Sequence, residues 1–353
     1  MNRREFLGVG AALTAAGVLA GKVGLAAGIP AAAQFEHKFV QVNGIRMHYV
    51  EAGQGPLVLL LHGFPLLWYS WRKQIPALAA AGYRVVVPDQ RGYGQTEAPE
   101  AVRAYNVTEL VGDITALVAA LGETQAAVVG WDWGSGIAQY CSLMRPDIFR
   151  ATILVSNPYM PRLPVHPAQI WKKLGNGRVF YQEYFQTPGL AEREMAQDAK
   201  AFMSSALYML SADAAPGDEW AFTFAPDASM LDSLKQPKKL PAWLTQADLD
   251  YYAGEYSRSG FVGPLNWYRN LEFDWEITSY LAGAKLVQPS LFIAGDEDPG
   301  IKWGKAAYEQ LETNMPNLRG KALIPHAAHM APEEQPEKFN AVLVAFLNGL
   351  PRS

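Results

Sequence analysis

Between an apolar run and a helix-like run stands Gly130-Trp131-Asp132-Trp133-Gly134. Two glycines bracket an aspartate where the chain must turn sharply from strand to helix, and side chains on the flanking residues would collide in so crowded a turn. Such a turn lifts the Asp132 side chain above the sheet. It also aims the backbone N–H of Trp133, at a helix N-terminus, at the same space, where it can stabilise developing negative charge. A strand-to-helix turn with an N-capping aspartate would look the same in sequence. As a chemical group, however, a raised carboxylate is a nucleophile that needs no activation, because with a reference pKa of about 4 it is ionised at neutral pH.

Three other loops carry groups that such a nucleophile could use. His62-Gly63-Phe64-Pro65 follows the apolar run Leu57–Leu61; by position the N–H of Phe64 is a second oxyanion donor, and His62 orients the loop. Ala294-Gly295-Asp296-Glu297-Asp298-Pro299 follows another strand-like run and holds three acids. Spacing does not force the choice among them; an acid carried further into the loop to face the site would be Asp298, with Asp296 and Glu297 as solvated loop charges. Pro325-His326-Ala327-Ala328-His329-Met330 follows the last run. Its two histidines compete, and His329, nearer the helix start at Glu333-Glu334-Gln335-Pro336, is preferred. His37, His48 and His166 read as surface or packing residues. Asp132, Asp298 and His329 then occur in the order nucleophile, acid, histidine. Attack by Asp132 would give an alkyl ester, which His329 would hydrolyse as general base on water, held and charge-balanced by Asp298. A carboxylate nucleophile suits saturated carbon bearing a leaving group, which means epoxides or alkyl halides rather than carboxylic esters.

Positioning these loops requires a layered scaffold. Strands are expected at Phe39–Val42, Ile45–Glu51, Leu57–Leu61, Arg84–Val87, Ala126–Gly130, Ala151–Val155, Ser290–Ala294 and Lys321–Ile324. Leu110, Ile114, Leu117, Val118 and Leu121 share one helical face, and so do Phe339, Val342, Leu343, Phe346 and Leu347. Alternating strands and helices with unbroken apolar strands imply an α/β fold with a mostly parallel eight-stranded sheet covered on both faces. The alternation stops at Asn157-Pro158 and resumes at Gln288-Pro289. Residues 158–287, rich in Trp, Tyr, Pro and Met, are expected to form an inserted α-helical cap over a core of residues 34–157 and 288–353.

Composition narrows the partners. A net charge of −4 over 353 residues implies no basic face for nucleic acid. The single cysteine, Cys141, excludes an intramolecular disulfide, and no Cys/His spacing suggests zinc. Ten Trp and 16 Tyr fit a large core or an aromatic-lined pocket for an apolar ligand. The N-terminus, Met1-Asn2-Arg3-Arg4-Glu5-Phe6-Leu7, resembles a twin-arginine export signal. The apolar run Gly8–Ala20 is short for a membrane span, and Ala31-Ala32-Ala33 offers a cleavage site before Gln34. Residues 1–33 are thus expected to be a signal peptide, leaving a periplasmic or secreted protein with no permanent membrane span.

Over residues 35–350 the chain resembles an α/β-hydrolase-fold epoxide hydrolase of the soluble type. The resemblance rests on His62-Gly63-Phe64-Pro65, Trp68-Tyr69-Ser70-Trp71-Arg72, Gln74-Ile75-Pro76-Ala77-Leu78, Asp89-Gln90-Arg91-Gly92-Tyr93-Gly94 and the Asp132 turn. In the cap, Tyr181-Gln182-Glu183-Tyr184-Phe185-Gln186-Thr187-Pro188-Gly189 and Gly263-Pro264-Leu265-Asn266-Trp267-Tyr268-Arg269-Asn270 resemble the two motifs that carry ring-opening tyrosines, which implies Tyr181 and Tyr268. It implies a small apolar epoxide and water as partners, with no cofactor or metal. Trp131, Gln182, Trp267 and Met330 are the expected pocket residues. Trp131 stands where the family often has His, and Leu66 where an acid is frequent. Two other functions remain open: a haloalkane dehalogenase, for which Trp133 is the available halide donor, and a non-catalytic binding protein on the same scaffold.

Overall fold

A computed structural model describes residues 31–351. The signal-peptide reading of residues 1–33 falls almost wholly outside them; Ala31–Gln34 form a short 3-10 turn.

Ten strands run β1 Glu36–Val42, β2 Ile45–Ala52, β3 Leu57–Leu61, β4 Arg84–Pro88, β5 Ala126–Trp131, β6 Phe149–Val155, β7 Val179–Phe180, β8 Thr223–Phe224, β9 Ser290–Gly295 and β10 Leu318–Ile324. Eight form one sheet in the order β1-β2-β4-β3-β5-β6-β9-β10. The β1–β2 and β2–β4 pairs are antiparallel and the other five pairs parallel. This is the expected mostly parallel sheet. Every residue of β3 (Leu-Val-Leu-Leu-Leu), of β5 and of β9 is buried, the mark of strands covered on both faces. The helix Val107–Ala120 buries Leu110, Ile114, Leu117 and Val118, and the helix Pro336–Asn348 buries Phe339, Leu343, Phe346 and Leu347.

Parallel strands end on one edge of the sheet, and the loops that leave this edge carry the chemistry. Asp132 follows β5, and Phe64 leaves the end of β3, its direct neighbour. Asp298 follows β9 and His329 follows β10, which pair with each other.

The segment between β6 and β9 is mostly helical, including Pro167–Gly175, Ala199–Met209, Gln246–Ser259 and Val262–Arg269. It also contains one element that the sequence does not announce. The two-residue strands β7 and β8 pair antiparallel, Val179 with Phe224 and Phe180 with Thr223. A ribbon this short has no hydrophobic period to detect, yet it delivers Tyr181 to its place: the next backbone N–H, that of Tyr181, donates to the Phe222 carbonyl at 2.9 Å.

A buried charged cluster joins the inserted segment to the core. Arg72 pairs with Asp248 of the helix Gln246–Ser259 at 3.1 Å and also with Glu333; Tyr69 donates its hydroxyl to Asp248 at 2.7 Å, and Lys73 reaches Glu333 at 2.9 Å. Buried ions persist where each has partners on several sides, and here those partners come from the loop after β3, the insertion and the chain after His329.

Candidate active site

At the end of β5 the backbone of Asp132 takes φ 57° and ψ −118°, an unfavourable conformation for any residue with a Cβ. Asp132 begins the helix Trp133–Met144, but its side chain makes no capping hydrogen bond to it. The N-cap alternative therefore fails, and the carboxylate is directed elsewhere. Both flanking glycines are required: a Cβ on Gly130 would run into the carbonyl of Gly134, and one on Gly134 into the carbonyl of Leu61. The Asp132 carboxylate instead accepts the Phe64 N–H at 2.8 Å. A Cβ on Gly63 would strike both this carboxylate and the amide nitrogen of Trp133, so the three groups lie against one another. His62 is fully buried and fixes the loop: its Nδ1 faces the Gly63 carbonyl at 3.0 Å, while its Nε2 accepts the Gln90 N–H at 3.1 Å. That pattern makes it a neutral imidazole donating through Nδ1, and burial lowers its proton affinity further despite Asp89 nearby.

His329 stands between two carboxylates, its Nε2 3.5 Å from Asp132 Oδ2 and its Nδ1 3.3 Å from Asp298 Oδ1. Burial alone would disfavour a charged imidazole, but Asp298 and Asp132 outweigh it and push the histidine up to about 10. Of the three acids after β9, Asp298 is the buried one at 1% exposure, while Asp296 and Glu297 are exposed. Its Oδ1 also accepts the Gly300 N–H at 2.7 Å, and its buried Oδ2 has no hydrogen-bond partner. The competing His326 is exposed, with φ 57°.

The His329 backbone is clamped from two sides by residues that sequence does not connect to it. Its N–H donates to the Leu210 carbonyl of the insertion at 3.0 Å, and its carbonyl accepts the Trp131 indole N–H at 2.9 Å. Glu334 adds a bridge, accepting the Ala328 N–H at 3.0 Å and the Ala212 N–H at 2.8 Å.

One cavity collects these groups. Asp132, His329, Tyr181 and Tyr268 line it together with Phe64, Phe185, Phe202, Trp220 and Phe222. The rings of Tyr181 and Tyr268 are 6.0 Å apart, edge to face. Burial raises the proton affinity of both phenols, and Asp132 adds to it, so both carry their protons through the neutral range.

The expected pocket residues fare differently. Trp131, Trp267 and Met330 are buried but do not line the cavity. Buried indoles usually find an acceptor; Trp131 turns away to His329, and Trp267 to the Arg91 carbonyl at 3.0 Å. Gln182 is also absent from the lining and sits between Trp171 and Tyr181. Trp133, the halide donor of the dehalogenase alternative, does not line the cavity either. Its ring packs edge-on against Tyr268. His48 is no surface residue: it is fully buried and links Asp89 and His37, each at 2.8 Å. Among the described residues no group of three or more His, Cys, Asp or Glu is arranged to hold a metal ion, and no helix is long and apolar enough to cross a membrane.

Sheet order, sharp turn and loop placement define an α/β hydrolase, and the family model for that fold matches residues 56–336. The chain belongs to this family. Within it the chain groups with epoxide hydrolases. It is 41% identical to epoxide hydrolase A of Mycobacterium tuberculosis, across 89% of this chain and 97% of that protein. It is 38% identical to epoxide hydrolase 3 of Siraitia grosvenorii, across 89% and 99%. Among solved structures, an epoxide hydrolase from an endophytic Streptomyces superposes with a TM-score of 0.85 at 43% identity, covering 89% of this chain and 96% of that one.

Proposed function

We propose that this protein hydrolyses epoxides to vicinal diols through a covalent ester on Asp132. An Asp132 oxygen attacks one ring carbon; the ring C–O bond breaks, and its electron pair stays on the epoxide oxygen. Tyr181 and Tyr268 donate to that oxygen and one of them protonates it, help worth about 10²–10⁴ in rate. The Asp132 ester is then attacked at its carbonyl by water, with His329 taking the water proton and Asp298 balancing the imidazolium. The charge on the tetrahedral intermediate falls beside the Phe64 and Trp133 N–H groups. Collapse passes the hydroxyl proton of the intermediate to the departing alkoxide, releases the diol and restores the carboxylate beside the imidazolium.

The observation that carries this reading is the convergence of carboxylate, imidazole and two protonated phenols on one aromatic cavity. The order of charges fits as well. With both carboxylates ionised His329 holds a proton; once Asp132 is an uncharged ester that support is reduced, and the imidazolium passes its proton to the tyrosine phenolate and becomes the base for water.

The test is a small panel of aryl and alkyl epoxides beside matched haloalkanes, scoring diol and halide. Diol formation lost in Asp132→Ala, and an added substrate mass trapped on the Asp132 peptide in His329→Gln, are the expected results. Halide without diol, or full activity in the Tyr181→Phe/Tyr268→Phe double variant, would sink the assignment. We further propose export through the Arg3-Arg4 segment, checked by fractionating cells that carry the full chain with or without the paired substitutions Arg3→Lys and Arg4→Lys.

A further inference from the structure

Tyr181 can protonate a substrate only if its O–H points into the cavity, and a phenol O–H is free to lie on either side of its oxygen. We infer that Gln182, locked in orientation by Trp171, is a positioning residue that aims the Tyr181 proton at the substrate; this rests on the role of Tyr181 proposed above.

The inference follows from counting donors. The Trp171 indole nitrogen lies 2.9 Å from Gln182 Oε1. An indole N–H can only donate, so the amide atom facing it must be the carbonyl oxygen. That settles which end of the amide is which, an assignment otherwise open for glutamine. The NH₂ end then faces the Tyr181 hydroxyl at 3.0 Å. An amide N–H also only donates, so here the Tyr181 oxygen accepts. Its own proton cannot lie along that line and must take the other in-plane direction. Tyr181 lines the cavity with Asp132 and Tyr268, whereas Gln182 and Trp171 do not, so the accepting side of the hydroxyl is the side away from the cavity. The Tyr181 phenol is thus held from behind by a group that cannot take its proton.

The amide does a second thing. When Tyr181 gives up its proton, the N–H already on its oxygen stabilises the phenolate. Burial makes that anion costly, and the Gln182 bond is what opposes it.

Gln182→Glu separates this from packing, because it keeps the shape and reverses the hydrogen bond. A carboxylate still accepts from Trp171 but must accept from Tyr181 as well, drawing the proton away from the cavity. Once protonated at acid pH, the new carboxyl can donate to the phenol oxygen again. With styrene oxide as probe, kcat/KM at neutral pH should fall by about 10–100-fold. Part of that loss should be recovered as the pH is lowered, with the thermal midpoint unchanged. In a Tyr181→Phe background the same substitution should add nothing. Gln182→Met, which can neither donate nor accept strongly, should lose less and show no acid recovery. Should Gln182→Glu fail to fold, Gln182→Met and Trp171→Phe decide the matter: both losses should vanish in the Tyr181→Phe background.

The proposal is overturned if Tyr181→Phe is impaired while Gln182→Glu stays within about twofold of the parent. It is equally overturned if the Gln182→Glu loss is the same at every pH and adds to that of Tyr181→Phe. If Tyr181→Phe is itself fully active, the assignment of Tyr181 falls, and the role of Gln182 falls with it.

Discussion

Alkylation of Asp132 should retune His329, and Asp298→Asn should expose how. In the resting site the imidazole lies 3.5 Å from one carboxylate and 3.3 Å from the other, and together they hold its proton up to about 10. With an effective dielectric constant of about 20, a unit charge at the Asp132 distance is worth roughly 5 kcal/mol, or more than three factors of ten in proton affinity. Esterification removes that charge, and His329 should fall back to titrating in the neutral range. Two pH profiles should then part company. Ring opening, read as kcat/KM, draws on the Asp132 carboxylate and on the two phenols, whose proton affinity burial raises, and should be flat from about pH 6 to about pH 9. Decay of the alkyl-enzyme, read in single turnovers by quenched-flow mass spectrometry, should rise with pH over the same interval. Asp298→Asn removes the second charge, also worth roughly 5 kcal/mol. It should slow decay by about 10²-fold or more while sparing ester formation, so that the ester accumulates. If decay is flat where kcat/KM is flat, or if Asp298→Asn slows both steps equally, the charge-coupling account is wrong.

Other consequences are open to direct measurement. Gly63→Ala places a methyl group against the Asp132 carboxylate and the Trp133 amide, and should cost at least about 10²-fold in kcat together with a lowered thermal midpoint, since the overlap with backbone atoms must be relieved. Trp131→Phe keeps a ring but strips the His329 carbonyl of its indole donor; roughly 1 kcal/mol, about fivefold to tenfold, should appear in alkyl-enzyme decay rather than in its formation. Stability should depend on pH through His329. Its folded value is raised above the unfolded one, so its contribution is complete below about pH 6.5 and lost as the pH rises towards 10. Denaturant titrations should show a decline on the order of a few kcal/mol across that window, and His329→Gln should flatten it.

Much of this molecule was legible from its chain. Short apolar runs placed all eight strands of the main sheet, and β3, β5 and β9 read as unbroken because strands covered on both faces have no polar side to interrupt them. The glycines around Asp132 marked the elbow, because no other residue fits against the Gly134 and Leu61 carbonyls. His329 and Asp298 could be singled out by strand-end position, although spacing alone did not separate them from His326 and Asp296, and burial did. Tyr181 and Tyr268 came only from family resemblance, since nothing local distinguishes them from other cap tyrosines.

What surrounds the site was beyond the sequence. Trp131 and Trp267 sit beside site residues in the chain, yet their indoles turn to acceptors outside the cavity lining; adjacency along a strand or helix says nothing about which side a ring takes, and the nearest buried acceptor decides it. Leu210 holds the His329 loop through its backbone carbonyl, which any side chain could accompany, and the Glu334 carboxylate holds it by accepting backbone N–H groups that carry no side-chain signal, so neither contact left a compositional trace. The β7–β8 ribbon that seats Tyr181 is two residues long on each side. The sequence by itself determined which elements form and which groups stand at their ends. Only the tertiary structure decided the hydrogen-bond directions, because a donor meets its acceptor through space, across separations such as the 198 residues between Trp131 and His329.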